Sequence, residues 1–145
     1  MTEINWDEIT DKTNMFTLEG QTIRGKCVSV YDGDTIKCVF PIPNTSDNRL
    51  YKWNCRLGRV DTPELRTKNQ KEKEFGKKVR DNLRSQILNK IVELKCGEFD
   101  KYGRLLVNIK LDNEDMSELL ISEGLAFKYD GGTRQNWDEY LQNKK

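Results

Sequence analysis

The chain has 145 residues, with 25 Lys and Arg against 24 Asp and Glu, no His, and a formal net charge of +1. That length supports one domain, and 35% apolar residues with 3 Trp, 5 Tyr and 5 Phe argue for a compact core rather than a disordered chain. The lack of His excludes imidazole bases, His-dependent triads and His-based zinc sites, so chemistry near neutral pH falls to carboxylates, Arg, Lys, Tyr or Cys.

Residues 1–20 mix charges, Thr and Asn with scattered Phe16 and Leu18 and show no period. They read as an N-terminal arm ahead of one domain, 21–145. The start contains Glu3 and no apolar run, and no stretch of about 18 apolar residues occurs, so neither secretion nor membrane insertion is expected. The expected place of action is intracellular, cytoplasmic or nuclear. From Gln21 the pattern turns to short strands rich in β-branched residues. Residues 22–30 and 35–40 flank the tight turn Tyr31-Asp32-Gly33-Asp34, a hairpin. A polar, proline-bearing loop over 41–48 leads to a third strand, 50–60, which ends at Asp61-Thr62-Pro63-Glu64 because proline lacks an amide proton and restricts the residue before it.

Between Lys68 and Lys90 the apolar residues Phe75, Val79, Leu83 and Ile87 recur every four, the stripe of an amphipathic helix with a solvated Lys and Glu face. Two more strands, 91–96 and 104–111, are joined by residues 97–103. A short helix over 116–123 follows, with Gly124 at its C-terminal end, and Trp137, Tyr140 and Leu141 are spaced for a last short helix. These elements predict a five-stranded antiparallel barrel with a helix inserted after strand three, mainly β with helices. The four cysteines, Cys27, Cys38, Cys55 and Cys96, form no C-x-x-C pair. Three of them fall in strand-like apolar runs, so buried thiols in a reducing compartment are expected ahead of a four-thiolate zinc site.

Asp32-Gly33-Asp34 alone is a plain hairpin signal, and four turn carboxylates alone make a solvated acidic rim. Their convergence is what matters. Asp61, the Thr62 carbonyl and Glu64 can face one point from a proline-stiffened turn, and Asp34 can complete it from the hairpin. Such hard oxygen ligands suit Ca²⁺ ahead of Mg²⁺ or Mn²⁺. Arg56 and Arg59 lie just before the acidic turn and Arg104 follows Lys101-Tyr102-Gly103, so guanidinium forks can flank the cation. Cation and forks together fit phosphodiester chemistry, neutralising phosphate charge as it grows while a carboxylate directs water.

Four ordered blocks now resemble one known family, the staphylococcal nucleases: Val30-Tyr31-Asp32-Gly33-Asp34-Thr35, Arg56-Leu57-Gly58-Arg59-Val60-Asp61-Thr62-Pro63-Glu64, Asp100-Lys101-Tyr102-Gly103-Arg104 and Ser122-Glu123-Gly124-Leu125-Ala126. The resemblance spans roughly Gln21 to Tyr129. It implies an OB-fold barrel with three helices and a Ca²⁺-dependent nuclease that cleaves DNA and RNA with low sequence preference, leaving 3′-phosphate ends. It further implies that Asp34, Asp61 and the Thr62 carbonyl hold the calcium ion and that Glu64 acts as general base on, or orients, the attacking water. By the same resemblance Arg56 and Arg104 clamp the phosphate, Lys101 and Tyr102 contact a terminal phosphate, and Tyr129 stacks a base.

Two features depart from the family pattern. Arg59 interrupts a usually apolar stretch, and strict alternation from Tyr51 to Leu57 would send Arg56 and Asp61 to opposite faces unless a bulge near Gly58 intervenes. A net charge of +1 gives little global steering, so affinity must come from local groups such as Arg49, Lys52, Arg66, Lys68, Lys101 and Lys128. A single strand, whose bases are free to stack, suits such a site better than a duplex. The expected partners are DNA and RNA, with no membrane, no evident protein partner and a monomeric state. Competing readings are a catalytically silent OB-fold module that binds nucleic acid or protein, and a phosphodiesterase of small nucleotides.

Overall fold

The computed structural model describes residues 3–63, 65–129 and 141. Strands β1 (Thr22–Val30), β2 (Thr35–Pro41) and β3 (Leu50–Leu57) form an antiparallel meander whose inward residues Cys27, Ile36, Cys38, Phe40, Cys55 and Leu57 are at most 1% exposed. A two-residue strand β4 (Val60–Asp61) precedes helix α1 (Gln70–Ile87), and β5 (Ile91–Phe99) and β6 (Leu105–Leu111) complete the wall. The chain then passes through β7 (Glu114–Asp115), α2 (Met116–Ser122) and β8 (Phe127–Lys128). β5 pairs with β1 and β6 with β5, both antiparallel. The barrel closes where β6 lies beside β3 in the register Cys55 to Leu105, Arg56 to Leu106 and Leu57 to Val107. The expected five-stranded OB-like barrel is present. Its closing pair is parallel, a direction that inward and outward alternation cannot reveal.

Two irregularities in the ladders explain where residues near the site point. β1 carries a bulge between Cys27, opposite Cys38, and Ser29, opposite Lys37. The extra residue, Val28, resets the alternation, so Val30 rather than Ser29 is driven inward to 2% exposure. β5 carries a second bulge between Cys96 and Phe99 and continues through Gly97 where the sequence pattern had suggested a loop. The predicted third strand, 50–60, is in fact two strands. It breaks at Gly58-Arg59, with Arg59 in the left-handed region at φ 65°. The Gly58 amide donates to the Val107 carbonyl at 2.8 Å and its carbonyl accepts from the Ser117 hydroxyl at 3.0 Å, which fixes the turn to β6 and α2.

Helix α1 buries the predicted stripe, Phe75, Val79, Leu83 and Ile87, against the barrel. Asn69 caps it by accepting the Glu72 amide at 2.9 Å. Near its other end the Arg84 guanidinium donates to the Val30 carbonyl at 2.8 Å, holding the helix to the end of β1. α2 ends as expected, with Gly124 at φ 74°. All four cysteines are buried and free. Residues 3–17 are exposed, and Leu18, 1% exposed, is the first side chain from the N-terminus to enter the core. Leu141 is helical and packs against the core, whereas Trp137 and Tyr140 lie outside the described residues.

Candidate functional site

The hairpin loop between β1 and β2 is organised by Asp32, whose Oδ1 accepts the amides of Asp34 at 3.1 Å and Thr35 at 2.8 Å. Gly33 is not left-handed, so the glycine is needed for closeness rather than for backbone freedom. A Cβ there would meet Val79 Cγ1 at 2.6 Å and the Thr62 side chain at 3.0 Å. The loop is thus pressed onto α1 and the acidic turn, and Asp34 and Thr62 come to share one wall. The Asp34 carbonyl also accepts the Leu57 amide at 2.8 Å, tying the loop to the end of β3.

That wall belongs to a cleft of about 1620 Å³. Asp34, Arg56, Thr62, Lys101, Tyr102, Arg104 and Tyr129 all line it, joined by Tyr31, Asp32, Arg59 and Arg66. The structure therefore gathers seven of the nine predicted site residues in one place. Asp61 is 1% exposed and does not form part of the cleft wall; its backbone pairs with Phe127 across β4 and β8. Glu64 lies outside the described residues. The break at Gly58-Arg59 replaces the predicted bulge, and it is this turn that changes the parity between Arg56 and Asp61. Of the six cations expected to hold nucleic acid, Arg66, Lys101 and Lys128 line the cleft and Arg49, Lys52 and Lys68 do not; Arg49 pairs with Asp47 at 3.1 Å.

The two arginines are held differently. Arg56, half-buried, donates from Nη1 to the Leu57 carbonyl at 3.3 Å and from Nη2 to the Val60 carbonyl at 3.3 Å and Asp34 Oδ2 at 3.4 Å. Tyr129 covers it, with the guanidinium carbon 5.9 Å from the ring centre. Arg104 is fixed through Nε alone, to Asp100 Oδ2 at 2.8 Å, and lies 5.3 Å from the Tyr102 ring centre. Among the described residues neither terminal amino group of Arg104 makes a hydrogen bond. Its fork is aimed but unspent.

Asp100 is what aims it. Its Oδ1 accepts the amides of Tyr102 and Arg104, each at 2.9 Å, around Gly103 at φ 82°. Burial alone would raise the Asp100 carboxyl, but those two amides and the Arg104 guanidinium outweigh it and hold it below the usual carboxylate range. A depressed folded-state value contributes stability that is complete above the unfolded carboxylate value and is lost as pH falls through the folded one. Melting curves of Asp100→Asn should therefore lie below those of the wild type at about pH 7 and converge with them below about pH 4. A gap that persists undiminished in acid would remove the carboxylate as the organiser of this turn.

The donor set beside Asp34 fits a hard divalent cation. Asp34 Oδ1 accepts the Thr35 hydroxyl at 3.1 Å, and among the described residues the buried Thr62 hydroxyl has no hydrogen-bond partner. Burial, and then the neighbouring charge and hydrogen bonding of Asp34, push the Asp32 carboxyl up to about 7 against the lowering pull of the Asp34 and Thr35 amides. An Asp32 carboxyl raised in this way, in an oxygen-lined wall, is a setting that a divalent cation relieves. Among the described residues no three Cys, Asp or Glu side chains are placed to hold a metal together, so a cation beside Asp34 needs backbone or water oxygens as well.

Comparison with known proteins decides the family. Residues 54–145, more than half of the chain, match the family model described as Staphylococcal nuclease homologue. The chain belongs to the staphylococcal nuclease family. Its relatives include the thermonuclease of Staphylococcus hyicus, 35% identical over 103 residues, covering 70% of this chain and 56% of the relative. A probable endonuclease, LCL3, of Yarrowia lipolytica is 29% identical over 131 residues, covering 77% and 58% respectively. Endonuclease YncB of Bacillus subtilis is 32% identical over 98 residues, covering 66% and 43%. The chain spans about half the length of the curated relatives it matches.

Three residues of this staphylococcal nuclease homologue had no assigned role in the sequence reading and stand in its site. Asp32 and Asp100 each organise the loop that presents a predicted site residue, and the signal for both was present as an Asp followed by turn residues whose amides it can accept. Tyr31, paired with Arg66 across 35 positions, had no local signal at all.

Proposed function

We propose that the chain is a Ca²⁺-dependent nuclease that hydrolyses phosphodiester bonds of DNA and RNA with low sequence preference and leaves 3′-phosphate ends, single strands being favoured. The observation that carries this reading is a single cleft lined by Asp34, Arg56 and Arg104, with an aromatic ring over each guanidinium. Asp34 and the Thr62 carbonyl, at the cleft wall, would hold the calcium ion, and Asp61, buried next to Thr62, is carried over as a ligand by family resemblance alone; the ion supplies positive charge beside the phosphate. Arg104 offers two unspent N–H edges of a planar fork to phosphate oxygens, and Arg56 adds a fixed positive charge restrained by two carbonyls; both interactions strengthen as charge gathers on those oxygens. Glu64, by family resemblance, takes or orients the proton of the attacking water. Lys101 and the exposed Tyr102 receive the terminal phosphate and its nucleoside, and Tyr129 offers a ring for stacking while it backs Arg56. Four buried free thiols are in keeping with work in a reducing, intracellular compartment, and the protein acts as a monomer in this reading.

The test is to incubate the protein with single-stranded DNA in calcium, in magnesium and in chelator, and to identify which end of each product bears phosphate. Cleavage in calcium with 3′-phosphate ends and no product in chelator is expected. Undiminished cleavage in chelator would remove the metal from the reading. Binding in every condition without product would leave a silent binding barrel instead.

A further inference from the structure

Tyr31 and Arg66 form a pair that the reaction described above does not use. Tyr31 follows β1 directly, at the start of the acidic hairpin loop, and Arg66 follows the acidic turn. The Arg66 Nε donates to the Tyr31 hydroxyl at 2.9 Å, and its guanidinium carbon lies 5.8 Å from the ring centre. Both line the same cleft as Arg56 and Arg104, and the tyrosine remains 45% exposed. Among the described residues Arg66 has no carboxylate partner and neither terminal amino group makes a hydrogen bond. Arg59, Lys101 and Lys128 in the same cleft likewise make no ion pair among the described residues, so the cleft carries positive charge that the nearly neutral chain as a whole does not. A ring half open to solvent and backed by an aimed, unspent guanidinium is built for a base and the phosphate attached to it.

We propose that Tyr31 and Arg66 form a second nucleotide subsite, in which Tyr31 stacks a base and Arg66 grips a phosphate flanking the one under attack, so that the enzyme prefers polymers to short substrates. The proposal rests on the nuclease reading and specifies its substrate length. Tyr31 leads into the hairpin loop that carries Asp34, and Arg66 follows the acidic turn that carries Thr62, so a strand seated on the pair lies in the cleft that those residues line.

Fluorescence anisotropy with a labelled oligothymidylate of about eight nucleotides, in chelator, tests the subsite, alongside calcium-dependent cleavage of that strand and of a dinucleotide. Tyr31→Ala and Arg66→Ala should each weaken strand binding about tenfold, Tyr31→Phe should bind within about twofold of the wild type, and dinucleotide cleavage should be unchanged. Arg66→Ala should also flatten the dependence of log affinity on log salt by about 0.7. Equal losses on strand and dinucleotide would overturn the proposal, since the pair would then act by bracing the two loops. Variants that bind the strand as the wild type does, with cleavage intact, overturn the subsite and leave the nuclease reading standing. A wild type that cleaves neither substrate yet binds the strand through Tyr31 and Arg66 supports the subsite and removes the hydrolytic reading.

Discussion

Arg104→Ala should lower kcat on single-stranded DNA by about 10²–10³ while leaving the melting temperature near that of the wild type. The arginine contributes one hydrogen bond to the fold, from Nε to Asp100, and the Asp100 carboxylate keeps its two backbone amides when the side chain is gone. The turn therefore survives. What disappears is a pair of donors that meets phosphate oxygens best when they carry most charge, which is why the loss should fall on turnover rather than on KM. Arg104→Lys should rescue little, because an ammonium is a point charge that cannot present two parallel N–H groups. The measurement is single-turnover cleavage with calorimetry of the same samples. Full turnover in the alanine variant would take Arg104 out of the chemistry.

Gly33→Ala should act on stability and activity together. The added methyl would lie 2.6 Å from Val79 Cγ1 and 3.0 Å from Thr62, and both neighbours are buried, β-branched and stiff at χ1. Neither can move aside, so the loop must lift from α1 at a cost of about 1–3 kcal/mol. At this chain length that lowers the melting temperature by roughly 3–10 °C. Lifting the loop also separates Asp34 from Thr62, so on the proposed calcium reading the calcium concentration needed for half-maximal activity should rise. Pairing the substitution with Val79→Ala opens space for the methyl, and the double variant should be more stable than the sum of the two single losses implies. Strict additivity would show that the two positions do not press on one another.

The strands and helices were legible because burial imposes simple periods. The fourfold recurrence from Phe75 to Ile87 and the alternation from Tyr51 to Leu57 each survive into the structure. The turn at Gly58-Arg59 was harder to see, since nothing local says that a non-glycine residue will take a positive φ where the Gly58 backbone is held by Val107 and Ser117. Gly33 was legible as a turn residue for the wrong reason: Asp-Gly commonly marks positive φ, whereas here the demand comes from a helix more than forty positions away. The acidic turn and its flanking arginines could be named from residue types and spacing, whereas Lys101, Tyr102 and Tyr129 followed only from the family resemblance. The pairing of Tyr31 with Arg66 and the parallel seam between β3 and β6 are relations between distant segments, and a linear pattern does not encode them.

That seam bears on when the proposed phosphate grip is assembled. Cys55 sits opposite Leu105, so each arginine of the proposed phosphate grip is a direct chain neighbour of one residue of that pair, and half a hundred positions separate them along the chain. A nascent or partly opened chain, even with its first hairpin and its helix formed, holds Arg56 and Arg104 apart and, on the proposed reading, could not grip a phosphate between them. In the proposed reading the grip is therefore completed only when β6 docks beside β3 and closes the barrel.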